Sequence, residues 1–77
     1  MASLEDKKIK EKGQILWYDK QRKLGFIERD NGEHIFFHET SCRESDLDLL
    51  VAGQDVDFIF HKGTRGSMAL EVRLVES

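Results

Sequence analysis

The chain has 77 residues, 39% of them apolar and 35% charged, which leaves room for one small core and excludes a large enzyme with a deep catalytic cavity or a second domain. Its 12 Lys and Arg against 15 Asp and Glu give a net charge of -3, which taken alone argues against a nucleic-acid ligand, whose phosphates normally select a basic domain. The single cysteine, Cys42, excludes an internal disulfide and a four-thiolate zinc site. No run approaches the roughly 18 apolar residues of a membrane span, and the start Met1-Ala2-Ser3-Leu4-Glu5-Asp6 lacks a signal-peptide core, so a soluble cytoplasmic protein is expected.

Residues 1–11 are polar and rich in Lys and Glu, with only Leu4 and Ile9 as sizeable apolar side chains after the first residue, and read as a flexible lead-in to a domain over 12–77. Ile15-Leu16-Trp17-Tyr18 is a β-branched and aromatic run that predicts a first strand, stopped by the polar loop Asp19 to Lys23. Leu24 to Glu28 is the second strand. The turn Asp30-Asn31-Gly32 supplies the positive φ angles of a tight hairpin and leads into a third strand, His34 to His38. Glu39 to Gln54 reads as a long acidic loop with one helical turn near Leu47, Leu49, Leu50 and Val51. Val56 to His61 alternates, with Val56, Phe58 and Phe60 on one face and Asp57, Ile59 and His61 on the other. Gly63 to Gly66 turns the chain into a fifth strand, Met68 to Val75. Five short strands without proline or a long amphipathic helix predict an all-β fold, a small closed barrel whose closure removes exposed edges.

The charge is unevenly spread. Residues 7–38 carry eight bases against five acids, whereas 39–61 carry one base against six acids, so one surface of an acidic protein can be locally basic. Period two sorts the second and third strands: Leu24 and Phe26 oppose Gly25 and Ile27, and His34, Phe36 and His38 oppose Ile35 and Phe37. Ile27, Ile35 and Phe37 form the more apolar set, and burying two imidazoles is costly, so Phe26 and Phe36 are expected to face water. Exposed rings on neighbouring strands suit stacking of unpaired bases. They would equally serve as stabilising cross-strand pairs, or face inward in a differently registered sheet.

Trp17-Tyr18, Lys23-Leu24-Gly25-Phe26-Ile27 and Ile35-Phe36-Phe37-His38, followed by Ala52-Gly53-Gln54-Asp55-Val56 and Gly66-Ser67-Met68-Ala69-Leu70-Glu71-Val72, resemble in order and spacing the segments of the cold-shock domain. The resemblance covers about residues 12–75. It implies a five-stranded antiparallel barrel of the oligonucleotide/oligosaccharide-binding type that binds single-stranded RNA or DNA on the outer face of its first three strands, as an RNA chaperone. It further implies stacking by Trp17, Phe26, Phe36 and His38; the bases Lys20, Arg22, Lys23 and Arg65 are expected, from their charge, to hold the backbone. Four positions depart from the family pattern: Leu24 and Glu39 stand where aromatics are usual, Lys23 replaces a glycine, and Leu16 replaces a lysine. A base stacked on an aromatic ring is worth roughly 1 to 3 kcal/mol, and Glu39 repels phosphate, so binding is expected to be weaker than in a typical member and to lean more on charge.

Other chemistries fit less well. His34 and His38 lie about 13 Å apart along a strand, too far to chelate one metal, so neither a metal nor another cofactor is expected. Ser41 and Cys42 beside His38 and Glu39 contain nucleophile, base and acid by type, but nothing in the sequence supplies an oxyanion hole or a water-excluding pocket. A monomer is expected, and the rival function is a barrel of the same type that docks a protein partner through Trp17, Phe36 and an exposed Ile59, which the acidic net charge would suit.

Overall fold

Residues 10–64 and 66–75 are described in a computed structural model of the chain. Five strands, β1 (Lys10–Asp19), β2 (Leu24–Arg29), β3 (His34–His38), β4 (Asp55–Gly63) and β5 (Gly66–Leu74), close into a barrel in the order β1-β2-β3-β5-β4. The ladders are antiparallel except β3 against β5, which meet in parallel through Phe36 and Met68. Lys10 and Glu11, read from the sequence as lead-in, belong to β1 and pair with Ile59 and Phe58. The earlier part of that lead-in lies outside the described residues.

Local chemistry sets the turns. Asp19 accepts the backbone N–H groups of Gln21 and Arg22 on its carboxylate and that of Lys23 on its carbonyl, which lets Lys23 take a left-handed φ of 62° before β2 begins. In the β2–β3 hairpin Asn31 Oδ1 accepts the Glu33 N–H and Gly32 adopts φ 88°, whereas Asn31 does not take the positive φ expected of it. The β3–β4 connection holds two 3₁₀ segments, Glu39–Ser41 and Glu44–Leu49, instead of one helical turn. Of its apolar cluster Leu50 is buried and Leu47 partly so, while Leu49 and Val51 face water.

The interior is filled by Ile15, Ile27, Ile35, Phe37, Val56, Phe58, Ala69 and Val72, with Leu50 added from the long connection. Gly25 shares this inner face for a steric reason: a Cβ there would lie 2.5 Å from the Trp17 carbonyl and 2.7 Å from the Phe37 ring. At one end of the barrel the Arg29 guanidinium sits 4.4 Å over the Phe60 ring. It donates from Nε and a terminal nitrogen to the Glu11 carboxylate and from its other terminal nitrogen to Glu33, so a cation whose side chain is only 18% exposed has its charge answered by two acids.

Two ladder slips depart from plain alternation. Between Ile15 and Trp17 the β1–β2 register gains one residue, Leu16. Between Asp57 and Ile59 the β4–β5 register also slips, the extra residue falling on β5, where Glu71 takes φ 50°. The expected exposure of Ile59 is corrected here: it is 9% exposed, at a position paired with Lys10 of β1 and Leu70 of β5 and outside the inner cluster.

Candidate functional site

The slip at Leu16 decides which way the tryptophan points. With Ile15 inside, strict alternation would send Trp17 inward as well; the extra residue turns Trp17 out, 43% exposed, and lets Tyr18 pack against the core. Trp17 then pairs across the ladder with Phe26, ring centroids 5.2 Å apart and tilted 44°. Phe26 pairs in turn with Phe36, 6.0 Å apart and edge to face. Three partly exposed rings therefore run across β1, β2 and β3 on the face opposite Ile27, Ile35 and Phe37. Leu24, next to His38 in the same ladder, continues that face without a π surface.

His38 closes the row at the end of β3. Its Nδ1 accepts the Thr40 N–H at 3.2 Å and lies 3.0 Å from the Thr40 hydroxyl, which caps the first 3₁₀ segment and fixes the ring. Beside it Glu39 accepts the Tyr18 hydroxyl at 2.9 Å. Desolvation, followed by this hydrogen bond, pushes the Tyr18 phenol up to about 12. Glu39 thus has a neutral hydrogen-bond donor as its partner beside the aromatic face. The sequence alone offered no sign of that pairing, since the two residues are 21 positions apart.

The basic residues are partly answered from within. Lys20 meets Asp48 of the second 3₁₀ segment at 2.8 Å, and this contact raises the Lys20 ammonium and lowers the Asp48 carboxyl from their ordinary values, by hydrogen bonding first and by charge second. Arg22 lies 3.6 Å from Asp19. Lys23 is exposed and has no carboxylate within ion-pair distance among the described residues. Arg65, the fourth cation expected on the backbone, lies outside the described residues.

The residue types that resembled a nucleophilic set are spent elsewhere. Burial, followed by the charge of Asp46, pushes the Cys42 thiol up to about 11, so at neutral pH it stays protonated. His38 is turned to Thr40 and Glu39 to Tyr18. A cleft of about 450 Å³ between the start of β1, the β2–β3 turn and β4 is lined by Lys12 and Arg29 but also by Glu28, Asp30 and Asp55, a mixture that gives no net pull on an anion. No helix among the described residues is long and apolar enough to cross a membrane.

The family model for the 'Cold-shock' DNA-binding domain matches residues 11–75. The chain is 35% identical over 63 residues to "Cold shock protein CspC" of Bacillus subtilis (strain 168), covering 82% of this chain and 96% of that protein. It is 32% identical over 65 residues to a "Cold shock-like protein" of Thermotoga maritima, covering 84% and 98%. Among solved structures, drosophila Unr CSD456 superposes with a TM-score of 0.68 at 20% identity over 96% of this chain, which spans 30% of that longer one and so supports the fold alone.

Proposed function

Because the chain belongs to the 'cold-shock' DNA-binding domain family, and thus among proteins that bind nucleic acid, we propose that it holds single-stranded RNA or DNA without catalysis, its unpaired bases lying on Trp17, Phe26, Phe36 and His38. The observation that carries this reading is the unbroken ring contact from Trp17 through Phe26 to Phe36 on the water-facing side of β1–β3. Stacking requires free π-faces, and duplexed bases keep theirs occupied, so the ligand is single-stranded. Lys20, Arg22, Lys23 and Arg65 take the backbone. The barrel domain, with Lys10 and Glu11 in its first strand, acts in the cytoplasm as a chaperone that keeps RNA unpaired, a role that follows from holding single strands in competition with hairpins. Docking of a protein partner loses one of its three anchors, since Ile59 is buried.

Affinity is lower than in a typical member and leans on charge. Leu24 offers no ring, Glu39 keeps a carboxylate on the face, and Asp48 and Asp19 compete with phosphate for Lys20 and Arg22. Titration of a short pyrimidine-rich single strand, read by emission from the sole tryptophan, tests the reading. Emission changes on binding, and log affinity falls with log salt at about -0.7 per phosphate contacted. An emission unchanged at low salt under saturating oligonucleotide overturns the stacking role of Trp17.

The competition has its own signature. In Asp48→Asn the Lys20 ammonium is released, and affinity at low salt rises about two- to five-fold, in line with the small worth of an exposed ion pair. The gain disappears at high salt. Unchanged affinity at low salt places Lys20 away from the bound phosphates.

A further inference from the structure

The row of cross-strand neighbours does not stop at β3. Phe36 pairs with Met68 of β5, and Met68 pairs with His61 of β4, so five outward-facing side chains, Trp17, Phe26, Phe36, Met68 and His61, stand side by side across all five strands. Met68 is partly exposed and flanked on β5 by the buried Ala69, which fixes the outer face there. His61 is exposed, and its ring edge lies near the Cα of Gly63, where a side chain would be 3.7 Å from Nε2. With strands about 4.8 Å apart, the row from Trp17 to His61 runs about 19 Å along the barrel surface, about twice the length occupied by the three contacting rings.

Building on the single-strand binding proposed above, we propose that Met68 and His61 form an additional nucleobase subsite, so that a bound strand continues past Phe36 around the barrel to the β4–β5 hairpin. Imidazole offers a flat π-face and ring nitrogens for a base edge, and the Met68 thioether is a polarizable, adaptable bridge between it and Phe36. The neighbouring Lys62 is exposed and has no acid within ion-pair distance among the described residues, but alternation along β4 turns it to the other side of the strand, so the subsite rests on the imidazole and the thioether. Barrels of this type bind about 4 to 16 nucleotides each, so a track reaching beyond three rings is within their range.

The test compares His61→Ala, His61→Tyr and Phe36→Ala on a deoxythymidine tetramer and octamer, by fluorescence anisotropy at fixed salt. His61→Ala weakens the octamer roughly five-fold or more and leaves the tetramer unchanged, and His61→Tyr restores octamer binding because a ring, not a charge, is what the subsite needs. Phe36→Ala weakens both. If His61→Ala leaves octamer affinity untouched while Phe36→Ala lowers it, the track ends at β3 and the added subsite is wrong. If Phe36→Ala is also without effect, the single-strand reading of the aromatic face fails along with it.

Discussion

Phe37→Ala is expected to leave the chain largely unfolded at 25 °C. The ring has no solvent exposure, stacks on Tyr18 with centroids 6.1 Å apart, and fills the space that Gly25 leaves open. Truncating a fully buried phenylalanine costs about 3 to 5 kcal/mol, from lost transfer free energy and from the cavity left behind. A core of this size supplies about 3 to 5 kcal/mol of net stability, so the loss consumes nearly all of it. Urea unfolding followed by circular dichroism checks the result. A cooperative transition displaced by less than about 1 kcal/mol would mean that the barrel collapses around the missing ring and that Phe37 is not central to the core.

One residue earlier on the same strand the opposite outcome is expected. Phe36→Ala, and likewise Phe26→Ala, lowers single-strand affinity by about 1 to 3 kcal/mol, roughly 5- to 150-fold, the worth of one stacked base. Each leaves the barrel folded, because removing a half-exposed cross-strand partner costs only about 0.2 to 1 kcal/mol of stability. Phe26 touches both Trp17 and Phe36, so its removal also unsupports its neighbours, and the two substitutions combined lose less than the sum of their separate effects. Calorimetric titration with a thymidine hexamer, paired with thermal unfolding, separates the two effects. An unfolded Phe26→Ala, or one that binds as before, removes the ring row from the binding site.

The contrast between residues 36 and 37 was legible from the sequence as the favoured of two registers, because period two with two histidines on one side makes the face of Ile35 and Phe37 the less costly one to bury. The β2–β3 hairpin was legible for the same local reason, Asn-Gly at the turn. Where alternation breaks, the sequence was silent. Neither the extra residue at Leu16, which turns Trp17 outward, nor the one on β5, which accompanies the burial of Ile59, changes the composition of its strand. Slips of this kind depend on how two strands far apart in sequence fit one another. The ion pair between Lys20 and Asp48 and the bond from Tyr18 to Glu39 were out of reach likewise, since each joins segments more than twenty residues apart. Their effect falls on the electrostatics of the face, which the family pattern alone cannot supply.

At Gly25 the carbonyl of the outward-turned Trp17 and the ring of the innermost Phe37 approach the same Cα from two sides. The barrel wall at this point is a single ply of backbone, with no spacer between its dry lining and its wet skin. A change in the lining at this point therefore reaches the rings outside through one layer of backbone. Durability and grip are, for this chain, one property measured from two sides of a sheet.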